Sequence, residues 1–299
     1  MDNGWLTARF EANRTRLRGI AYRMLGSLSE VDDAVQETWL RLNRSDGGGI
    51  EDLDRWLTTV AARVCLDMLR ARKSRREEPL EEHIPDPIVG GAEDGDPGHA
   101  AVMADSVGIA LLVVLEALSP RERLAFVLHD VFAIPFEEIA RIVERTPAAA
   151  RQLASRARRR VKSAAVPDAD LGSQRKLVDA FLAAARTGDF DALVAVLDPD
   201  VVLRAERATG AAGDAGVPSL LRGAQTVARG ALAFSARAGL GLIVRPALVN
   251  GVAGIVSWFP DGRPYSVMAF TVVRGKIVEI DVLADPERLA RLDLTAAQR

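Results

Sequence analysis

The chain has 299 residues, of which 48% are hydrophobic and 27% charged, so it is long enough to bury more than one core, and we expect two or three folded domains. No apolar run approaches the roughly 20 residues of a membrane span and the first ten residues do not resemble a signal peptide, which predicts a cytoplasmic protein with no membrane partner. The net charge is only −2, but basic residues concentrate in residues 63–76 and 141–162, whereas residues 77–105 are acidic.

The first third of the chain has the apolar spacing of amphipathic helices. Ser29 followed by Asp32 indicates a capping box at the start of one helix, which would run to the glycines at 47–49. One face of this helix is polar and mostly acidic beside two apolar side chains. It consists of Asp32, Asp33, Gln36, Glu37, Trp39 and Leu40. Such a face suits a basic protein helix, although an ordinary solvated helix face has the same spacing.

A second helix is predicted from about Asp54, with apolar residues along one side. Its other side carries Trp56, Thr59, Arg63 and Arg70. An aromatic ring combined with cations suits unstacked single-stranded bases better than a closed duplex, although Trp56 can equally be a structural residue. The preceding glycine-rich loop, with Asp46 and Gly47, is either a site that captures a flipped base or a plain connector.

Residues 77–98 contain four prolines and many acids without an apolar period, which predicts a linker between domains. Ser119, Pro120 and Glu122 then indicate a capped helix start, and Pro135 and Pro147 divide the following residues into three helices. The last of these has small inner side chains and a basic outer face, the pattern of a helix-turn-helix. The outer face carries Arg151, Gln152, Ser155, Arg156, Arg158 and Arg159. These side chains are candidates for contacts in the DNA major groove, the alternative being a solvated face.

The pattern changes after Pro167. Residues 174–186 predict an amphipathic helix, and a shorter helix begins at Phe190. Apolar residues then recur with a period near two, and Arg274 with Gly275 marks a hairpin turn. Helices followed by a curved antiparallel sheet predict an α+β cone that encloses a cavity, whereas the Gly- and Ala-rich residues 205–219 predict a loop.

No catalytic set emerges from the sequence. The three histidines show no metal-ligand spacing, there is no phosphate-binding loop or nucleophile elbow, and the single cysteine, Cys65, is expected to be a packing residue. Weak acid or base candidates in the last domain are Asp200, Glu206, Tyr265 and Asp281. We therefore predict no enzymatic activity, no cofactor and no metal.

Three segments together resemble the extracytoplasmic-function branch of the sigma-70 family: DDAVQETWLRL (residues 32–42), residues 55–76, and residues 118–161. The resemblance extends to the subgroup that appends a SnoaL-like domain of the ketosteroid-isomerase superfamily. It implies a multidomain fold with two all-α domains, the sigma region 2 bundle and the region 4 helix-turn-helix, and a C-terminal α+β SnoaL-like cone-shaped barrel. The implied boundaries are 1–77, linker 78–105, 106–163, linker 164–173, and 174–299.

The resemblance also implies roles for the surfaces. The 32–42 helix resembles the segment that docks on the β′ subunit of core RNA polymerase, the 56–76 helix with Asp46 and Gly47 resembles the part that melts the −10 element, and the 147–161 helix resembles the −35 reader. In this subgroup the linker and the C-terminal end carry motifs that correspond here to HIPDP (residues 83–87) and ADPERL (residues 284–289). The implied interdomain regulatory residues are Pro85, Asp86, Pro87, Asp285, Pro286 and Leu289.

The sequence thus predicts a sigma factor that binds the β′ and β subunits of core RNA polymerase and promoter DNA, and whose activity the SnoaL-like domain modulates within the same chain. The alternative is a DNA-binding ligand sensor, in which the SnoaL-like domain binds a small apolar molecule.

Overall fold

The computed structural model describes residues 3–45, 50–75, 84–90, 109–162, 167–207, 220–237 and 241–298. The chain divides into two compact units. The first consists of Met1–Leu80, Ala100–Asp105 and Val114–Ala164, and the second of Glu81–His99, Ser106–Val113 and Ala165–Arg299. Within the described ranges, no helix is both long and apolar enough to cross a bilayer.

The first unit begins with three helices packed around an apolar core. They are α1 (Asn3–Leu25), α2 (Leu28–Arg44) and α3 (Leu53–Arg75). Phe10, Leu17 and Leu57 are among the buried residues that hold them together. The expected capping box at Ser29 and Asp32 is wrong. Gly26 ends α1 at a φ of 72°, so the extended residue before α2 is Ser27, and Ser29 lies inside the helix.

Next, α4 (Ile109–Glu116) is followed by the predicted three-helix segment. It comprises α5 (Pro120–Phe126), which continues as a π-helical turn (Val127–Val131), α6 (Phe136–Val143) and α7 (Pro147–Val161). The capping box of Ser119 and Glu122 is confirmed. Thr146 caps α7 by accepting a hydrogen bond from the Ala149 amide at 3.2 Å. The inner side of α7 is buried alanine, which lets the neighbouring helices approach closely.

The second unit joins helices to a mixed sheet. The helices are α8 (Leu171–Thr187), α9 (Phe190–Val196), α10 (Ala224–Arg237), α11 (Pro286–Leu289) and α12 (Thr295–Gln298). The strands are β1 (Val89–Gly90), β2 (Leu197–Arg207), β3 (Leu220–Arg222), β4 (Ile243–Val249), β5 (Val252–Trp258), β6 (Pro264–Val273) and β7 (Lys276–Ala284).

The sheet formed by the described strands has the order β1-β4-β5-β6-β7-β2-β3. Its pairs are antiparallel except for β2 and β7, which are parallel, so the expected curved antiparallel sheet is corrected to a mixed one. The predicted hairpin is confirmed, since Arg274 and Gly275 have φ of 52° and 70° between β6 and β7. The expected loop over 205–219 is wrong at its start, because Ala205 pairs with Val282 inside β2; residues 208–219 lie outside the described ranges.

The two faces of this sheet bury different cores. On one face, α8, α9 and α10 cover residues such as Ile255 and Phe270; we call this the helix face. On the opposite face, Trp258 and Leu283 pack with Ile84 and Val89 of the linker segment 84–90. We call this the linker face. The period of two along each strand assigns alternate residues to the two faces.

Candidate polymerase, nucleic-acid and interdomain interfaces

The predicted polymerase-binding residues lie together along α2. Asp32, Asp33, Gln36 and Leu40 are exposed and Glu37 is half-buried. Asp32 pairs with Arg18, and Glu37 accepts from Arg41 Nε at 2.8 Å. Trp39 is the exception, because its ring lies 4.9 Å from that of Phe10 and packs against the apolar core. The outer face of α2 therefore offers acidic groups and one exposed leucine, with Trp39 partly used in folding.

The predicted −10 residues lie on α3. Arg63 and Arg70 are exposed, whereas Trp56 and Thr59 are half-buried, and Trp56 packs against the core formed with α1 and α2. Trp56 is thus partly the structural residue that the sequence left as an alternative. The other two predicted residues, Asp46 and Gly47, fall outside the described ranges.

The −10 candidates also contact the helix-turn-helix segment within the first unit. Arg63 Nη2 donates to the Arg141 carbonyl at 3.4 Å, and Arg55 pairs with Glu138 at 3.0 Å. Beneath them, the buried Arg123 donates through Nε to the Arg23 carbonyl at 2.8 Å. Burial lowers the pKa of Arg123 to about 10, partly offset by Glu116. The polar contacts between α3 and α6 are therefore mostly exposed, whereas a buried cation lies below them.

The predicted −35 residues share the outer face of α7. Arg151, Gln152, Arg156 and Arg159 are exposed, and Ser155 and Arg158 are half-buried. The structure adds partners that the sequence did not indicate, because they lie on preceding helices. Arg151 pairs with Glu137 at 2.9 Å, Arg158 with Asp130 at 2.6 Å and Arg156 with Glu122 at 3.6 Å. The Arg151–Glu137 pair is exposed on both sides and therefore weak, so a phosphate group can replace its carboxylate, whereas Asp130 and Glu122 are largely shielded from solvent.

The predicted interdomain residues meet on the linker face of the second unit. Pro85 and Pro87 are buried, Asp285 caps α11 by accepting from the Arg288 amide at 2.9 Å, Pro286 opens that helix, and Leu289 is buried. Two further residues take part in these contacts: Arg288, which was not singled out from the sequence, and Glu206, which was predicted only as a weak acid or base candidate.

Arg288 makes the direct contacts. Its Nε donates to Asp86 Oδ1 at 2.9 Å, its Nη2 donates to the Ile84 carbonyl at 2.7 Å, and its Nη1 lies 2.7 Å from Glu206 Oε1. Glu206 in turn accepts from the Ile84 amide at 2.7 Å. We call this group, Asp86, Arg288, Glu206 and the Ile84 backbone, the linker clamp. Burial opposes the charge, but Asp86 and Glu206 raise the pKa of Arg288 above its ordinary value.

The strand β1 adds a second attachment of the linker. Val89 pairs with Val249 of β4, the Ile88 amide donates to Asn250 Oδ1 at 2.9 Å, and the Asn250 amide donates to the Ile88 carbonyl at 2.8 Å. Asn250 has a φ of 50°, which asparagine tolerates better than most residues. Residues 84–90 are thus held by backbone pairing and by charge.

The acid and base candidates of the last domain are dispersed. Asp281 is buried on the linker face against Arg204, 3.1 Å away, which also pairs with Glu279. Burial, reinforced by Glu279, raises the pKa of Asp281 to about 7. Glu206 belongs to the linker clamp, and Asp200 is exposed. The fourth candidate, Tyr265, lines a cavity on the helix face of the sheet, with a volume of about 780 Å³.

Comparisons with known proteins identify two sigma-70 regions in the helical part of the chain. A model of sigma-70 region 2 matches residues 9–75, and a model of sigma-70 region 4 matches residues 109–161. The helical part therefore contains both region 2 and region 4 of a sigma-70-type factor.

The likeness to individual proteins covers nearly the whole chain. The chain is 39% identical to the ECF RNA polymerase sigma factor SigJ of Mycobacterium tuberculosis, over 93% of this chain and 91% of that protein. It is 33% identical to the probable ECF RNA polymerase sigma factor SigI of the same species, over 95% and 94%. The crystal structure of the M. tuberculosis SigJ matches with a TM-score of 0.74 and 34% identity, over 96% of this chain and 99% of that one.

The chain belongs to the extracytoplasmic-function sigma factors of the sigma-70 family. The expected fold class is confirmed, as is the expected function in transcription initiation with RNA polymerase. No finding favours the ligand sensor over this function.

Proposed function

We propose that the chain acts in the cytoplasm as a promoter-specific initiation factor whose surfaces divide the work. In this assignment α2 docks on the β′ subunit of core polymerase, α3 binds the unstacked −10 strand and α7 reads the −35 duplex. The observation that carries it is the presence of two differently built basic surfaces, one with Trp56 beside cations and one with Gln152 among arginines.

The contacts between α3 and the helix-turn-helix segment bear on the order of events. While Arg63 donates to the Arg141 carbonyl, its guanidinium is held against the helix-turn-helix segment. We propose that binding to core polymerase separates these segments, so that the two promoter elements are read by separated surfaces. The exposed interactions of Arg63 and Arg55 cost little to break, whereas the buried hydrogen bond from Arg123 to the Arg23 carbonyl costs more.

The C-terminal domain is proposed to regulate rather than to catalyse. Its linker clamp and β1 retain residues 84–90, the part of the chain that resembles the connector threading into polymerase. Covalent attachment gives this contact a high effective concentration without a separate regulatory protein. We further propose that the cavity on the helix face binds a small apolar molecule.

Reconstituted transcription tests the proposal. Core polymerase with the full chain should give promoter-dependent transcripts from a library of promoter fragments. Gln152→Ala should lose activity mainly on promoters with a matching −35 element, because Gln reads a base edge, whereas Lys176→Ala, an exposed residue on α8, should match the wild type. Silence of the wild-type chain on every promoter would exclude the initiation function.

The regulatory part has its own readout. Arg288→Ala should change transcription at fixed core polymerase concentration, because it releases residues 84–86 from the clamp. The matched control is Arg291→Ala, an exposed arginine beyond α11. Equal core affinity and equal transcription for these two variants would exclude regulation through the clamp.

A further inference from the structure

The cavity of the second unit lies between the helix face of the sheet and the helices α8 and α10. Its volume is about 780 Å³, within the roughly 300–1,000 Å³ of small-molecule sites. The wall is mostly apolar and includes Phe181, Leu203, Ile255, Phe234 and Met268. A space of this size and lining can bury most of the surface of a small organic molecule.

Charge is nearly absent from this wall. Among the described residues that line the cavity, Arg186 is the only charged side chain, and neither a carboxylate nor a histidine is present. Arg186 is exposed and lies with Thr187 and Gly188, which are also exposed, so these residues form the mouth and the guanidinium is hydrated. An ionised group deep in the cavity would lose its hydration without gaining a partner, which is costly.

Besides the hydroxyl groups of Ser235 and Tyr265, the apolar wall contains a hydrogen-bonded pair of serines. Ser257 and Ser266, on neighbouring strands β5 and β6, line the cavity, and each is 4% exposed. Their hydroxyl oxygens are 2.6 Å apart, so one hydroxyl donates to the other. The pair has two protons and uses one between the oxygens; the other protein acceptor, the Ser266 carbonyl, lies 3.4 Å from Ser257 Oγ, a long contact. The pair can therefore exchange a hydrogen bond with one polar group of a ligand.

We propose that this cavity binds an uncharged, predominantly apolar small molecule that carries one hydroxyl or carbonyl group, which hydrogen-bonds to the Ser257–Ser266 pair. The inference rests on the ligand-binding part of the proposed function and narrows it to a chemical class. The apolar walls supply the affinity, and the serine pair fixes the orientation of the polar end.

The test uses the full-length chain and the neutral dye Nile red. Its emission should rise saturably on addition of protein, and 1-decanol should displace it. Decanoate, which has the same chain length but a carboxylate, should displace it at least about tenfold less well, because the described residues place no cation in the cavity interior. If Nile red shows no saturable binding, the cavity is not a ligand site; if decanoate competes as well as decanol, ligand binding stands and the proposed class is overturned.

Variants locate the binding. Ala231 lines the cavity from α10, so Ala231→Phe should remove most dye binding by filling the space. Ala233 is exposed on the same helix, so Ala233→Phe makes the same change outside the cavity and should leave binding unaltered. Equal binding by the two variants would place the dye elsewhere and overturn the proposal. Circular dichroism melting shows whether each variant folds.

A second variant does not depend on overpacking. Ser257→Ala combined with Ser266→Ala should weaken decanol binding about five- to tenfold, the value of one lost hydrogen bond. Unchanged decanol affinity would exclude the serine pair from the site. Promoter-dependent transcription is measured separately on the same proteins, so a failure of the ligand class is distinguishable from a failure of the initiation function.

Discussion

The Arg288 guanidinium donates to the Asp86 carboxylate at 2.9 Å, and its other end lies 2.7 Å from Glu206. Three side chains far apart in sequence thus form one charged group, with the side chains of Arg288, Asp86 and Glu206 only 17%, 14% and 24% exposed. Since both carboxylates pair with the same cation, the stability of this group depends on Arg288.

Removing that arginine should destabilise the second unit. We expect Arg288→Ala to lower the free energy of unfolding by about 3 kcal/mol, because it leaves two partly buried carboxylates without their cation. Arg288→Lys should recover only part of the loss, since lysine lacks the planar fork. Urea denaturation measures both, and a loss no larger than that of Arg291→Ala would contradict the assignment.

Buried Asp281 should make stability depend on pH. Burial raises its pKa to about 7 in the folded protein, against about 4 in an unfolded chain, so the folded state binds the proton more tightly between these values. The free energy of unfolding should therefore fall as pH rises from about 4 to about 7, and level off above. Asp281→Asn should lack this part of the fall while Arg204 keeps Glu279 as its partner.

The matching control for this pH experiment is Asp191→Asn, which changes an exposed carboxylate on α9. It should retain the wild-type fall when urea midpoints are compared from pH 5 to pH 8. If the urea midpoint of Asp281→Asn falls with pH as steeply as that of Asp191→Asn, then Asp281 is ionised throughout this range. The prediction that burial raises its pKa would then be wrong.

Gly254 should tolerate no side chain. A Cβ there would lie 2.5 Å from the Met268 carbonyl oxygen and 2.5 Å from Val249 Cγ2, and the carbonyl cannot move without disturbing the pairing of β5 with β6. We expect Gly254→Ala to cost about 2–3 kcal/mol of unfolding free energy. Gly90→Ala in β1 is the control, because the nearest atom to its Cβ is 3.9 Å away; thermal melts that shift equally would contradict the steric argument.

Local signals explain what the sequence predicted well. The start of α5 follows from Ser119 and Glu122, and the start of α7 from Thr146 and Pro147, because caps involve residues only three positions apart. The same kind of signal misled at Ser29, since the left-handed Gly26 fixes where α2 begins and no side chain of Ser27 caps it. Ser27 and Ser29 are only two residues apart, so sequence spacing alone does not show which of them precedes the helix.

Long-range contacts explain what the sequence missed. Arg288 meets Asp86 across 202 positions, and although the family resemblance grouped the two segments, nothing in either sequence identifies these two side chains as partners. Likewise the carboxylates that pair with the α7 arginines lie on other helices, and the packing of Trp39 on Phe10 depends on how α1 meets α2. The residue types along each helix predicted the acidic face of α2 and the basic faces of α3 and α7. The partner of each side chain, in contrast, depends on tertiary packing.

Cys65 should report opening of the first unit. It is fully buried, and burial raises the pKa of its thiol to about 12, so the reactive thiolate is scarce at pH 8. Iodoacetamide should therefore alkylate it only when the unit unfolds, at a rate that rises with urea. Ala233→Cys in a Cys65→Ala background provides an exposed thiol that should react within minutes, and equally fast labelling of native Cys65 would show that the unit opens readily.

The exposed arginines of α7 should contribute to DNA affinity through phosphates. Arg159 contacts only Ser155 Oγ, at 3.4 Å, among its hydrogen bonds to described side chains, so it gives up little on binding DNA. We expect Arg159→Ala to weaken binding to every promoter duplex alike and to reduce the slope of log affinity against log salt by about 1, because one fewer counterion is released. Arg151→Ala should weaken DNA binding less than Arg159→Ala does, since Arg151 must give up its ion pair with Glu137, 2.9 Å away, when it binds a phosphate. Fluorescence anisotropy across a salt series, on holoenzyme with full-length variants, measures the slopes, and Lys176→Ala on α8 should leave both affinity and slope unchanged. A slope unaltered by Arg159→Ala would mean that the outer face of α7 does not meet the phosphate backbone at this position.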